Sequence, residues 1–340
     1  MLNAGKRAVA LGLDCTVQSR LKATEQPLSD SIIPAPLFSV VVPVYCCAQC
    51  VNPLAERVLA ALDALGSCEI VMVCDASPDD SWAAICALAA TEARVRGILL
   101  SRNFGQHHAI SAGIEHARGE WVYVMDCDLQ DPPEDMPALW QMAQAGHDVV
   151  LGQRQERQDH LFKRATSALF YRFLGFLTDT RFDASVANFG IYHRRVIDTI
   201  NAMPERSRFF PLMVHWTGFR AARVPVKHAK RVHGGSSYNL RKLIRLGLDI
   251  ILSYSDKPLR LVVKLGFVVS VIAVLIAGIS VYRYFSNDIT VAGFTSVMAS
   301  IWLLGGMLLS SVGVVGLYVG RIHLDVKRRP VYVVQSTVGR

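Results

Sequence analysis

The chain has 340 residues, enough for one large domain or two smaller ones. Its net charge of +8 favours an anionic partner, whether nucleic acid, phospholipid or a phosphorylated substrate. All its cysteines fall between Cys15 and Cys127, and the C-x-x-C within Cys46, Cys47 and Cys50 has no second pair or His pair at zinc-finger spacing. That excludes a zinc finger and leaves free thiols in a reducing cytoplasm as the default.

Residues 1–37 show no consistent period and end in Pro34-Ala35-Pro36. They are expected to form a mobile tail. The apolar run Ala8–Leu13 is too short for a signal-peptide core. Phe38–Val44 is the first buried strand, and Asn52–Leu65 has helical spacing. Glu69–Cys74 is a second strand, which runs into Asp75, Ala76, Ser77, Pro78, Asp79 and Asp80. Ser81–Ala93 follows as a helix, with Ser81 or Asp80 placed to cap it. Val95–Leu100 is a third strand, Ser101–Gln106 its loop, and His107–Arg118 a helix. Trp121–Met125 is a fourth strand. Strands alternating with helices predict a mostly parallel sheet with right-handed crossovers. Asp75 and the pair Asp126 and Asp128 then share one edge of it.

The fourth strand leads into Asp126-Cys127-Asp128-Leu129-Gln130-Asp131-Pro132-Pro133-Glu134. Two carboxylates one residue apart at a strand mouth suit a hard divalent cation. Such a cation takes oxygen ligands and leaves positions for water and substrate phosphates. Ligands of open α/β sheets bind at the carboxyl ends of the strands. The plainer reading is a polar strand exit, where Asp and Pro are common turn residues.

In order along the chain come Pro43-Val44-Tyr45, the acidic end of strand two, Ser101-Arg102-Asn103-Phe104-Gly105-Gln106, and the long string from Asp126 to Glu134. This set resembles the inverting family 2 glycosyltransferases of the GT-A fold. Within them it is most similar to the polyprenyl-phosphate glycosyltransferases, a group that includes dolichyl-phosphate mannose synthases and bacterial undecaprenyl-phosphate glucosyl and aminoarabinosyl transferases. The resemblance covers about residues 38–335. It implies an α/β fold, a GT-A (Rossmann-like) mostly parallel sheet domain with a C-terminal two-helix transmembrane anchor. It also implies a nucleotide-sugar site at Pro43, Tyr45, Asp75, Asn103, Gln106 and Asp126, with Asp75 at the base. Asp126, Asp128 and Gln130 become the ligands of Mg²⁺ or Mn²⁺. The chain departs from the family at Cys74, where a carboxylate is usual, and at Ala76, where Gly is usual. Cys127 is expected to point the other way along the strand and pack.

Asp148–Leu151 is a further strand, followed by Gly152-Gln153-Arg154. The family carries a similar Gly-x-Arg whose Arg faces phosphates, a task that suits a guanidinium. Arg154 is otherwise a solvated cation among Arg157, Lys163 and Arg164. His160–Leu177 has an aromatic face that serves either core packing or a lipid-facing surface. Asp183–Tyr192 has Gly190 where relatives have Arg. The stretch His228–Asn239 resembles the family's Arg-x-x-Gly-x-Ser-x-Tyr loop, which makes Arg231, Gly234 and Ser236 acceptor-phosphate ligands. No Ser-His-Asp or Cys-His arrangement can be built from the sequence.

Leu240–Ser255 is apolar at helical spacing, with Arg241, Lys242 and Arg245 on its other side, as in a helix lying at an anionic interface. Leu265–Tyr282 and Ile289–Gly320 are uncharged runs. A span needs about 20 residues, which places the second near Ser296–Leu317. Basic residues before the first span and after the second put both termini in the cytoplasm. Gly305, Gly306, Gly313 and Gly316 leave room for close helix contact, hence for a homo-oligomer. The expected organisation is a tail (1–37), a catalytic domain (38–239), an interfacial helix and linker (240–260), two membrane helices (261–320) and a cytoplasmic tail (321–340).

The resemblance implies a multi-pass enzyme of the cytoplasmic membrane that moves one sugar from a nucleotide-sugar to a polyprenyl, here undecaprenyl, phosphate with inversion. It favours a UDP-sugar, glucose-like, and no nucleic-acid partner. The alternatives are a GDP-mannose-dependent polyprenyl-phosphate mannose synthase, a processive polysaccharide synthase and a non-catalytic membrane partner. The processive synthases normally add Gln-x-x-Arg-Trp, which this sequence lacks.

Overall fold

The computed structural model describes residues 35–154, 186–227, 255–285 and 293–339. The expected helices His160–Leu177 and Leu240–Ser255, the loop at 286–292 and the tail before Ala35 lie outside these residues.

Four apolar runs become parallel strands: β1 (Phe38–Val44), β2 (Cys68–Cys74), β3 (Val95–Leu100) and β4 (Trp121–Val124). Every residue of β1, β2 and β4 is buried, as expected of strands covered on both faces. Three helices connect them: α1 (Val51–Leu62), α2 (Ser81–Thr91) and α3 (Gln106–His116). α4 (Met136–Gln144) and β5 (Val149–Arg154) follow, then β6 (Val186–His193), α5 (Arg194–Ala202), α6 (Phe210–Trp216) and β7 (Ala221–Val226). β8 (Val334–Val338) ends the sheet, whose order is β7-β5-β6-β4-β1-β2-β3-β8.

The pairs β1–β2, β1–β4, β2–β3 and β5–β7 are parallel, while β4–β6, β5–β6 and β3–β8 are antiparallel. The mostly parallel sheet of the sequence reading is therefore present, as a mixed sheet. Side chains on one face of β1 (Phe38, Val40, Val42) pack with α1, α2 and α4. The opposite face, with Val41, Val71 and Val73, packs with α3, α5 and α6. The result is a three-layer α/β/α core. β1 to β5 all run the same way, so their carboxyl ends share one edge.

Two long helices follow, α7 (Lys257–Phe285) and α8 (Phe294–Val326). Their 29 and 33 residues extend about 43 and 50 Å at 1.5 Å each, longer than a hydrocarbon core of about 30 Å. Phe267, Leu275, Leu308 and Leu309 stand exposed on them. Among the described residues one stretch, Leu303–Val326, is long and apolar enough by composition to cross a membrane. It lies further along the chain than the expected Ser296–Leu317. The other expected span, Leu265–Tyr282, falls inside α7. At the base, the Tyr318 hydroxyl donates to the Ser255 carbonyl at 2.7 Å and joins α8 to the chain entering α7.

Residues 321–340, expected to be a tail, are built differently. α8 runs on to Val326, and β8 then pairs with β3 through Ile98 and Thr337. Val338 packs on the apolar core beside α2. Gly97 makes the space: a Cβ there would come within 2.7 Å of Val338 Cγ1 and 2.5 Å of Ile85 Cγ2. Val338→Asp puts a carboxylate against this apolar seam and is expected to cost about 1–3 kcal/mol. Urea unfolding of the detergent-solubilised protein, followed by fluorescence, checks it.

Candidate active site

The loops leaving β1, β2 and β4 hold Cys46, Ala76 and Leu129, three of the four non-glycine residues described with left-handed backbone (φ 53°, 47° and 59°). Such a conformation costs a residue with a Cβ about 1–2 kcal/mol, and clusters of it mark functional loops. Ala76 thus explains why a glycine is usual there.

Asp79 binds two of these loops together. Its Oδ2 accepts from the Ala48 N–H at 3.1 Å, and its Oδ1 accepts from the Ser77 and Ser81 hydroxyls at 2.5 and 2.6 Å. Partial burial pushes this carboxyl up, but the hydrogen bonds outweigh it and hold it below its ordinary value. Ser77 Oγ in turn accepts from the Cys46 N–H at 2.7 Å.

Asp75 is buried at the end of β2, and both its oxygens are engaged. Oδ1 accepts from the Phe104 N–H at 2.7 Å and Oδ2 from the Gly105 N–H at 2.8 Å. The residue read as a base ligand is therefore first a clamp on the loop after β3. Gly105, at φ 100°, turns that loop into α3. Gln106, expected in the loop, is the first residue of α3, and its Nε2 donates to Asp126 Oδ1 at 2.6 Å.

Asp126 and Asp128 are half-buried beyond β4. Leu129 between Asp128 and Gln130 is buried in the core, and its left-handed backbone leaves its two neighbours facing out. The Gln130 N–H donates to Asp128 Oδ1 at 3.2 Å. Asp131 is buried and accepts from Arg154 twice, Nε to Oδ1 at 3.2 Å and Nη2 to Oδ2 at 3.0 Å. Arg154 lies on β5 rather than in the loop after it, and its forked pairing with Asp131 was not foreseen. Burial pushes the Asp126 carboxyl up to about 7; the charges of Asp128 and Asp131 add to this, while Arg154 and Gln106 work against it. A carboxylate so starved of compensation is suited to a proton or a divalent cation. Among the described residues no three His, Cys, Asp or Glu side chains form a ready metal cage. One or two carboxylates completed by substrate phosphates are the usual support for Mg²⁺, and Asp126 and Asp128 fit that pattern.

The remaining expected residues fall out as follows. Pro43 is buried within β1. Tyr45 and Asn103 are exposed at the same edge. Cys74 is fully buried, and desolvation pushes its thiol up. Cys127 is buried in the core as expected, and its carbonyl accepts from the Cys47 thiol at 3.3 Å. Glu134 clasps α1 through a forked pair with Arg57, both distances 2.7 Å. The Lys227 N–H donates to Asp135 Oδ2 at 3.0 Å, which brings the end of β7 to this edge. Arg231, Gly234 and Ser236 lie outside the described residues. Asp131 and Asp79 were not assigned roles in advance. Their signal was a further acid in each of the loops leaving β2 and β4.

The Glycosyl transferase family 2 profile matches residues 39–200. An uncharacterised glycosyltransferase of Synechocystis sp. is 34% identical over 304 residues, which cover 89% of this chain and 96% of that one. The undecaprenyl-phosphate 4-deoxy-4-formamido-L-arabinose transferase of Edwardsiella ictaluri is 37% identical over 309 residues, covering 88% and 94%. Among solved structures, glucosyl-3-phosphoglycerate synthase from Mycobacterium tuberculosis with Mn²⁺, UDP and phosphoglyceric acid is 16% identical. It covers 64% of this chain and 77% of its own, with a TM-score of 0.46. The chain belongs to family 2 of the glycosyltransferases, and its sheet is the GT-A fold.

The raised carboxyl has a thermodynamic consequence. An unfolded Asp loses its proton near about 3.9, whereas folded Asp126 keeps it to about 7. Between those values the folded state binds the extra proton, so this residue's contribution to stability falls as pH rises through that window. Asp126→Asn is expected to raise the unfolding midpoint in EDTA relative to wild type at pH 8, and to leave it unchanged at pH 4. Thermal unfolding at the two pH values checks this.

Proposed function

We propose that this enzyme transfers one sugar, with inversion, from a nucleotide-sugar to a polyprenyl phosphate at the cytoplasmic face of the membrane. The observation that carries the reading is the carboxylate group Asp126, Asp128 and Asp131 on an edge of a sheet whose last strand follows an apolar helix pair. The relatives named for transfer to undecaprenyl phosphate support that acceptor. A UDP-sugar, glucose-like, is the proposed donor.

The donor's nucleotide lies along Tyr45, Asp75 and Asn103, and its diphosphate near Asp126 and Asp128. Those two, with Gln130, would hold Mg²⁺ or Mn²⁺, which would supply charge neutralisation to the leaving diphosphate. Gln106 orients Asp126 through its hydrogen bond, and Asp131 fixes the guanidinium of Arg154 so that its remaining N–H groups meet phosphate. Arg231, Gly234 and Ser236 are the other proposed acceptor ligands. A phosphate oxygen of the lipid attacks the anomeric carbon as the bond to the nucleoside diphosphate breaks on the opposite face. That phosphate is already an anion at neutral pH, so the residues need not remove a proton. Positioning and leaving-group stabilisation carry the catalysis.

The sheet supports the topology. β8 pairs with β3, so the chain that leaves the domain before α7 returns to it after α8. That return is consistent with the proposed topology, a hairpin of α7 and α8 with both termini cytoplasmic.

Undecaprenyl phosphate incubated with radiolabelled UDP-glucose, other UDP-sugars and GDP-mannose is expected to give lipid-phase product with a UDP-sugar. Product with GDP-mannose alone identifies a mannose synthase instead. Asp128→Ala and EDTA each abolish turnover. Independently of activity, Mn²⁺ binding by calorimetry is expected to tighten from pH 6 to pH 8, with release of about one proton at pH 6 and almost none at pH 8, because the ligand must be deprotonated. Full turnover in metal-free buffer removes the cation from the mechanism.

Gly293 sits just before α8 at the tip of the hairpin. Gly293→Cys in intact cells is expected to react with an impermeant thiol reagent, while Ser336→Cys on β8 stays protected until the cells are opened. The reverse pattern inverts the topology.

A further inference from the structure

A concave site lies beside the aspartate edge, with Phe104, Gly105 and Gln106 of the loop after β3 on one of its walls. A cavity of about 470 Å³ opens between the loop after β3, the connection from α5 to α6 and the lower end of α8. Arg102, His107, Arg206, Arg208, Arg321 and Leu324 contribute to its lining. Among the described residues that line it there is no Asp or Glu. Four guanidinium groups from three separate segments therefore converge on it, of which Arg321 also lines a neighbouring cavity with Glu205, Asp256 and Asp325.

The cavity also holds polar atoms without partners. His107 Nδ1, Arg206 Nη1 and Arg208 Nε are buried and make no hydrogen bond. Buried donors left unpaired are costly and rare, and each calls for a ligand or a role. Some neighbours are fixed: Arg208 Nη1 donates to the Ile200 carbonyl at 3.0 Å, and the Arg102 guanidinium lies 4.0 Å from the centre of the Phe104 ring. The His107 ring meets Phe209 edge to face at 4.5 Å. Burial, reinforced by His108, pushes His107 down to about 4, so it is neutral at pH 7 and the arginines supply the positive charge.

Its place in the fold selects the ligand. Arg321 and Leu324 fall at the end of the apolar stretch Leu303–Val326, where exposed Leu317, Val319 and Ile322 give way to Lys327, Arg328 and Arg329. That is the level at which a bilayer presents its headgroups. Guanidinium groups are suited to forked contacts with phosphate oxygens. We propose that this cavity binds the phosphate group of a membrane lipid, through residues other than the proposed acceptor ligands Arg154, Arg231, Gly234 and Ser236.

The site touches the donor loop from below. Phe104 and Gly105 line the cavity and are the two residues whose N–H groups Asp75 holds. An occupied cavity therefore braces the same loop that starts α3 and delivers Gln106 to Asp126.

The test uses the full chain in phosphatidylcholine nanodiscs doped with phosphatidylglycerol or with undecaprenyl phosphate, with retained lipid counted by native mass spectrometry. Wild type is expected to retain one phosphatidylglycerol, or one undecaprenyl phosphate beyond the one held by the proposed acceptor residues. Arg206→Gln with Arg208→Gln should lower retention about tenfold or more, the size of one lost charge-assisted hydrogen bond. Arg102→Gln, at the exposed rim, is expected to lower it in the same direction, and Arg206→Lys with Arg208→Lys to restore part of it. Runs in an Arg231→Ala background remove the proposed acceptor contact, so persistence of the effect there separates this site from the acceptor reading. Retention of phosphatidylglycerol identifies a phospholipid site, and retention of undecaprenyl phosphate alone a polyprenyl one; either supports the proposal. Unchanged retention in the folded double variant and in Arg102→Gln overturns it. Displacement of the lipid by millimolar inorganic phosphate also overturns it, since the site then recognises free phosphate.

Discussion

Desolvation of carboxylates is the constraint on which this sheet depends, and its two edges resolve it in opposite ways. At the amino edge Glu69 is buried and fully answered. It accepts from the Ser39 hydroxyl at 2.6 Å, from the Arg118 N–H at 2.7 Å and from Arg118 Nη2 at 2.8 Å, with Arg96 Nη1 at 3.2 Å. Burial alone pushes Glu69 up; the Ser39 and Arg118 hydrogen bonds and the Arg118 charge outweigh it and hold the carboxyl below its usual range. A buried charge satisfied in this way joins β1, β2, β3 and the turn before β4, and it is structural. At the carboxyl edge Asp126 has one amide donor and two neighbouring acids. Its deficit is what a ligand can fill.

The second constraint is the pairing of β8 with β3. A sheet edge left open exposes unpaired backbone groups. Here the chain closes that edge with its own C-terminal residues, after two helices that expose apolar side chains along their length. The hairpin and the sheet are thus covalently and hydrogen-bonded neighbours, and the lower end of α8 contributes to walls of the catalytic domain. The Tyr332 hydroxyl, just before β8, reaches Glu115 on α3 and adds a polar contact to that seam.

The apolar runs made β1 to β4 legible in the sequence, because strands buried on both faces read as continuous Val, Ile and aromatic stretches. Their acidic exits made the Asp75 and Asp126 edge legible too. Other parts were not. β7 alternates exposed and buried residues and contains Pro225, and β8 is short and largely exposed, so neither carries the apolar run that marked the others. The pairing of Arg154 with Asp131 joins residues far apart in the chain, and no local period encodes it. Ala76 stood out in the sequence only as a departure; its left-handed backbone supplies the reason for the usual glycine. The arginine cavity was invisible for the strongest reason. Arg102, Arg206, Arg208 and Arg321 belong to segments that only the fold brings together.

Asp75 connects these observations. Its two oxygens are spent on consecutive backbone N–H groups, an arrangement that fixes the direction of the loop after β3 more tightly than one bond could. On one side of that clamp the chain enters α3 through Gly105, and Gln106 reaches Asp126. On the other side Arg102 and Phe104 stack and face the cavity beside α8. A displacement of the loop therefore moves both the amide that steadies the high-pKa carboxylate and the wall of the cationic cavity. Phe104 and Gly105 share one carboxylate, and the next residue, Gln106, both lines the cavity and donates to Asp126, so the two sites are adjacent. One short segment, Arg102 to Gln106, thus lines the cavity beside α8 at one end and reaches Asp126 through the Gln106 side chain at the other.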